Sequence, residues 1–146
     1  MTNFRFNIER STISAWEFVF VMENEDLKIW GSNFMNPLES LFSALRLILK
    51  GEKEMKISMI DEPEENIWVF NHFGNVIKIT ILNFKDYSGS ARNLEKGETI
   101  FNGEMDFNRF LNQIINSLQP FQNEKGINKK IEELVKLRRK LLHNNS

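Results

Sequence analysis

The sequence predicts an α+β fold: a single antiparallel sheet of about six to seven strands with two to three helices packed on one face. Three observations lead there. Apolar residues alternate with polar ones through much of the chain, the period of a half-buried strand. A helical period replaces that alternation in three stretches, residues 38–49, 107–118 and 127–142. The resulting order, three strands, a helix, four strands and two helices, lacks the strand–helix alternation of a parallel sheet. A chain of 146 residues has the length of one domain. A chain of that size buries roughly 70% of its unfolded surface, enough to need no metal or disulfide.

The elements follow in order. Phe4, Phe6 and Ile8 alternate, Trp16, Phe18, Phe20 and Met22 repeat the pattern, and Leu27 and Ile29 follow. With Asn24-Glu25 as the turn, Met22 opposes Leu27 and Phe20 opposes Ile29 on the apolar side, while Val21 opposes Lys28 on the other. Trp30 projects from that second side, beside Val19. Leu38, Leu41, Phe42, Leu45, Ile48 and Leu49 then form a helical stripe. Asn36 is its cap, Pro37 suits its first turn, Glu39 completes a capping box, and Gly51 supplies a left-handed end.

Met55, Ile57 and Met59 make the next strand, which runs into the turn Asp61-Glu62-Pro63-Glu64-Glu65. Residues 67–73 and 76–82 form a hairpin through Gly74-Asn75, a favoured two-residue turn. It pairs Trp68 with Ile81, Phe70 with Ile79 and His72 with Ile77 on the core side, and Asn71 with Lys78 and Val69 with Thr80 on the wet side. Residues 85–97 read as a long polar loop holding Tyr87 and Ser88-Gly89-Ser90. Thr99, Phe101 and Met105 mark a last strand. Asp106 caps a second helix with Phe107, Phe110, Leu111, Ile114, Ile115 and Leu118 on one face, which Pro120 ends.

The net charge of −1 conceals a division. Residues 1–125, the α+β domain, carry thirteen bases and eighteen acids (−5), whereas residues 126–146 carry six and two (+4). The second stretch reads as a basic amphipathic helix packed on, or extending from, the same domain. Its apolar stripe is Ile127, Ile131, Leu134, Leu141 and Leu142, with Arg138 inside it, so the Arg138 stem is expected to lie along the apolar surface while its guanidinium finds a carboxylate.

Several chemistries are absent. With no cysteine, the chain has no disulfide, zinc–thiolate site, iron–sulfur cluster or cysteine nucleophile. It has no phosphate-binding G-x-x-x-x-G-K-[ST] loop, no G-x-G-x-x-G after a strand, no H-E-x-x-H and no G-x-S-x-G elbow. The turn at residues 61–65 concentrates four carboxylates, either as a patch for a cation or basic partner or as a plain solvated turn. His72, one of two histidines, could join Asp61 and a serine in a triad, but its place in the core-facing row reads as structural. The aromatic rows lie with the isoleucines and read as core, not as stacking platforms for nucleic acid. The start of the chain lacks the apolar stretch of a signal peptide, and no apolar run approaches the ~20 residues of a membrane helix. The expected location is the cytoplasm. Asn144-Asn145-Ser146 fits a glycosylation sequon, but nothing else indicates secretion.

The segment Ile57-Ser58-Met59-Ile60-Asp61-Glu62-Pro63-Glu64-Glu65-Asn66-Ile67-Trp68, with Leu49-Lys50-Gly51-Glu52 before it, resembles a broad family of small, largely uncharacterised bacterial proteins. In that family a helix ends in a Gly-containing turn, followed by a strand and a D/E-E-P-G-E-x-x-W turn. The likeness continues through Val76 to Phe84 and Gly97-Glu98-Thr99-Ile100-Phe101, covering about residues 36–118. The chain departs from the pattern at Met59, where a Trp is usual, and at Glu64, where a Gly is usual. The resemblance implies an accessory or immunity-like protein that binds another protein, and it supplies no catalytic residue.

The expectation is therefore a non-enzymatic bacterial protein-binding protein without cofactor or metal. Trp30, Asp61, Glu62, Glu64, Glu65 and Arg138 are its candidate binding residues. The partner would be another protein, such as a basic toxin; neither membrane nor nucleic acid is favoured, and the Val19–Val21–Trp30 face leaves a homodimer open. The alternative is a carrier of a small apolar ligand in a cavity between sheet and helices.

Overall fold

The structure, a computed structural model, describes residues 3–12, 15–31, 36–86 and 93–144. Three strands come first, β1 (Arg5–Thr12), β2 (Ala15–Val21) and β3 (Asp26–Gly31), then α1 (Pro37–Leu49). Four more follow, β4 (Glu54–Asp61), β5 (Glu64–Phe73), β6 (Val76–Phe84) and β7 (Glu98–Asp106), the last preceded by a 3-10 turn at Leu94–Lys96. The chain continues through α2 (Phe107–Leu118), a 3-10 turn at Gln119–Phe121 and α3 (Ile127–Asn144). Tyr87 and Ser88-Gly89-Ser90 of the predicted loop lie outside the described residues, as do Asn145 and Ser146 of the sequon.

The α+β class is correct, but the single sheet is not what forms. The strands make two antiparallel sheets, β1-β2-β3 and β4-β5-β6-β7. The reason is the bulk on their inner faces. Phe18 and Phe20 of the first sheet meet Trp68 of the second with ring centroids 5.4 and 5.2 Å apart, and Phe20 meets Phe101 at 4.5 Å. Phe4 also reaches Phe101, at 5.0 Å. Side chains that touch across a core must come from sheets that face each other about 10 Å apart, not from one continuous surface. β3 and β4 lie near each other, yet α1 intervenes between them in the chain and no ladder joins them.

Nor do the helices share one face. α2 lies along β1, the edge of the smaller sheet: Gln113 Oε1 accepts the Phe6 backbone N–H at 2.7 Å, and the Ser117 hydroxyl donates to Asn7 Oδ1 at 2.8 Å. An open strand edge is a pairing hazard, and a helix laid over it removes that hazard. α1 packs on β4, and α3 packs on α1 and α2 as an outer layer. The basic helix is thus docked on the body of residues 1–125.

Local expectations fare better. The β5–β6 hairpin has the predicted pairs, Trp68 with Ile81, Phe70 with Ile79 and His72 with Ile77. In β2–β3 the register differs by two, with Phe20 opposite Leu27, Phe18 opposite Ile29 and Val19 opposite Lys28. Met22 is not in the ladder; its N–H donates to the Glu25 carbonyl at 3.0 Å, so the loop is longer than a two-residue turn. A shift of two preserves every side chain's face, which is why the apolar row is still the inner one.

Both helix starts are capped as expected. Asn36 Oδ1 accepts the Glu39 N–H at 3.3 Å and Asp106 Oδ2 accepts the Arg109 N–H at 2.9 Å. Gly51 has φ 117°, the left-handed end foreseen for α1. Gly31 is required by proximity: a Cβ there would lie 2.4 Å from Pro37 Cβ and 2.9 Å from the Phe18 ring, so its absence lets the first turn of α1 close on the sheet. Leu142, assigned to the apolar stripe of α3, is 50% exposed, because α3 buries chiefly Ile127, Ile131 and Leu134.

Trp68 is fully buried among Phe6, Phe18, Phe20 and Phe70. Among the described residues its indole N–H has no hydrogen-bond partner, so packing alone holds it. Trp68→Ala is expected to cost about 3–5 kcal/mol, because the cavity is walled by both sheets and cannot collapse without moving one. A urea titration checks this, and a loss under about 1.5 kcal/mol, within the range of a tolerated core swap, would disprove it.

Candidate functional site

The six residues singled out from the sequence sit on three separate parts of the fold. Trp30 is on β3, opposite Glu17, and 43% of it is exposed on the outer face of the smaller sheet. Beside it Lys28 lies 3.9 Å from the nearly buried Glu17 carboxylate, and Val19, on the same face opposite Lys28, is buried. The β2–β3 loop brings exposed Glu23, Glu25 and Asp26 to the end of the same sheet.

The acidic turn is the β4–β5 hairpin, with Asp61 paired to Glu64 and a cis peptide at Glu62–Pro63. Its four carboxylates do not act as one patch. Asp61 and Glu62 are exposed, while Glu64 lies 3.2 Å from the Lys85 ammonium. Glu65 is buried and accepts the Ser58 hydroxyl at 2.6 Å, which removes it from any docking surface. Asp61 and His72 cannot form a triad, because they stand at opposite ends of the β4–β5 pair, about 25 Å apart at ~3.3 Å per residue.

Arg138 is partly buried as expected, but its guanidinium donates to the amide oxygen of Asn112 on α2 and not to a carboxylate. Its position in the α3 stripe faces α2, where the nearest acceptor is that amide.

The principal charge cluster is one that sequence reading missed. On α1, Glu39 accepts from Arg46 at 2.8 Å; Arg46 Nε in turn donates to Glu133 of α3 at 2.7 Å, and Lys130 of α3 donates to Glu39. The Lys130 ammonium also stands 5.1 Å over the Phe42 ring. Hydrogen bonds from Lys130, then Arg46, hold the Glu39 carboxyl well below its ordinary value of 4.5, at about 2. Glu39 and Arg46 are two helical turns apart, which a sequence search could have noticed. Lys130 and Glu133 are some ninety positions away and only docking brings them in.

A second unforeseen feature is a cleft of about 180 Å³ between the β5–β6 turn, the start of α2 and the end of α3. His72, Asp106, Phe107, Asn108, Leu141 and Leu142 are among its walls. The His72 ring lies 4.6 Å from that of Phe107, and among the described residues His72 Nε2 and Asn108 Oδ1 are both buried without a hydrogen-bond partner. Burial, the larger effect, lowers the His72 pKa from 6.5, and a hydrogen bond to the Gly74 backbone opposes that.

Of the six bases on α3, Lys130 and Arg138 are engaged within the fold, which leaves Lys129, Lys136, Arg139 and Lys140 exposed. Where the sheets and α2 meet, the rings of Phe6, Phe20, Trp68, Phe101 and Phe110 pack against one another. Among the described residues no three His, Asp or Glu side chains are placed to hold a metal ion, and no helix is long and apolar enough to cross a membrane. Comparison with family models, curated proteins and solved structures finds no match to this chain.

The Glu39 cluster gives a pH dependence of known sign. A carboxyl whose folded-state pKa lies below its unfolded value stabilises the fold fully above the unfolded value, and that stability is lost as pH falls toward the folded one. Stability is therefore expected to decline between pH 4.5 and about 2 through Glu39, modestly because the group is 42% exposed. Denaturant midpoints measured across that window should fall less steeply in Glu39→Gln than in the wild type; equal slopes would remove Glu39 from the account.

Proposed function

We propose that this chain is a non-enzymatic protein-binding protein of the accessory or immunity-like kind, working in the bacterial cytoplasm on a basic protein partner. The observation that carries the reading is Trp30, a large aromatic held outward on a strand whose other face is locked in the core. Tryptophan dominates binding energy at interfaces because it buries much area at little entropic cost, and a rigid strand presents it without ordering a loop. Exposed Glu23, Glu25 and Asp26 at the end of the same sheet, with Asp61 and Glu62 of the other, supply the negative field that speeds encounter with a basic surface. The lack of any nucleophile–base pair or phosphate-binding loop in the sequence supports binding over catalysis.

The test is co-expression with the products of adjacent genes, followed by measured affinity for any that co-purify. Trp30→Ala should weaken binding by about thirtyfold or more, the loss expected of an interface anchor. Thermal stability should fall only modestly, since the side chain lies on the outer face of the sheet and 43% of it is exposed. Absence of a protein partner, or equal affinity of the variant, would defeat the reading.

A further inference from the structure

Hydrogen-bond acceptors without matching donors gather in the cleft at His72. The β5–β6 turn is tied to α2 there, since the Phe107 N–H donates to the Asn75 carbonyl at 2.7 Å. The backbone N–H of His72 donates to the Lys53 carbonyl at 2.8 Å, and its ring donates to the Gly74 backbone. With Nδ1 as that donor, Nε2 carries a lone pair. Nε2 is buried without a partner among the described residues, and so is Asn108 Oδ1 in the wall of the same cleft. Two stranded buried acceptors are costly, and a ligand that donates to both removes that cost.

The charge of the cleft selects the donor. Asp106 sets its Oδ2 on the Arg109 N–H and brings a carboxylate to the wall, while among the described residues the lining holds no lysine or arginine. The positive pole of α2 is taken up by this Asp106 cap, and the end of α3 brings a negative pole to the other wall. The remaining walls are apolar: Phe107, Leu141 and the half-exposed Leu142 at the rim. At about 180 Å³ the space is well below the ~300 Å³ of pockets that take drug-sized ligands, which limits the occupant to a few carbons.

We propose that this cleft binds a primary ammonium group on a short apolar stem, the ammonium donating to His72 Nε2, Asn108 Oδ1 and the Asp106 carboxylate. An ammonium carries three donors and no acceptor, which matches a wall of acceptors with one negative charge. Its stem lies along Phe107 and Leu141, with Leu142 as the side chain that gives way at the mouth. The site shares no residue with the Trp30 face, so it stands or falls apart from the proposed function.

NMR titration of the full chain with n-butylammonium tests it. His72, Asn108 and Leu142 signals should shift together with a Kd of roughly 1–10 mM, the range open to so small a ligand. n-Butanol, with the same stem and no charge, should bind about tenfold or more weakly, and tetramethylammonium, a cation without N–H, should not shift these signals. Nα-acetyl-lysine methylamide identifies the source: shifts like those of butylammonium assign the site to a lysine side chain of a protein, and their absence assigns it to a free amine. Asp106→Asn, which keeps a capping side chain, should weaken butylammonium about tenfold or more. No shift with butylammonium, equal binding of butanol or tetramethylammonium, or undiminished binding by Asp106→Asn would each overturn the site. So would a through-bond coupling between the Asn108 side-chain amide and His72 Nε2 in the free protein, because the two groups would then satisfy each other. Should Asp106→Asn not fold, the comparison of the three small probes on the wild type decides alone.

Discussion

Contact between two sets of aromatic rings holds this molecule together. Trp68 projects from the centre of the four-stranded sheet into the row formed by Phe6, Phe18 and Phe20 of the three-stranded one, and Phe101 completes the contact with Phe4 and Phe20. Most of these pairs are tilted or edge-to-face, the arrangements that ring quadrupoles favour. The constraint decides the architecture. Once the inner faces must touch, the strands cannot lie in one surface, and the chain divides them into two sheets with α1 spanning the gap in sequence. Gly31 belongs to the same constraint, since any larger residue would force Pro37 and the start of α1 away from Phe18.

The helices then complete what the sheets leave open. α2 hydrogen-bonds along β1: Gln113 accepts the Phe6 backbone N–H, which a further strand would otherwise satisfy, and Ser117 donates to the Asn7 side chain. α3 rests on α1 and α2 and on no sheet directly in quantity, so its attachment depends on Ile127, Ile131 and Leu134 and on the ion pairs of Lys130 and Glu133. Docking is firm in its first half, where those residues lie, and light at its end, where Leu142 is half exposed.

The charge division also acquires a structural meaning. The +4 of the last residues is not a separate basic arm, because Lys130 is spent on Glu39 and Arg138 on an amide. What faces water is a mixed surface: basic on the outside of α3, acidic at the β2–β3 loop and the β4–β5 turn. Trp30 stands out on it because the buried Val19 and the Glu17–Lys28 pair on the same face are already settled in the fold.

The sequence by itself determined the local elements. Period and capping chemistry located α1, α2 and α3, and Gly74-Asn75 set every pair of the β5–β6 hairpin, because hydrogen-bond register over a short turn is a local property. It also determined which face of each strand is apolar, so even the misplaced register of β2–β3 left the core row intact. Only tertiary structure decided how those faces meet. Alternation marks a buried side without naming what buries it, and the pattern reads the same whether the cover is a helix or a second sheet. The candidate site divides along the same line. The exposure of Trp30 was legible from its place opposite the Phe row, whereas the burial of Glu65, the amide partner of Arg138 and the stranded nitrogen of His72 each depend on residues distant in the chain, which no local pattern encodes.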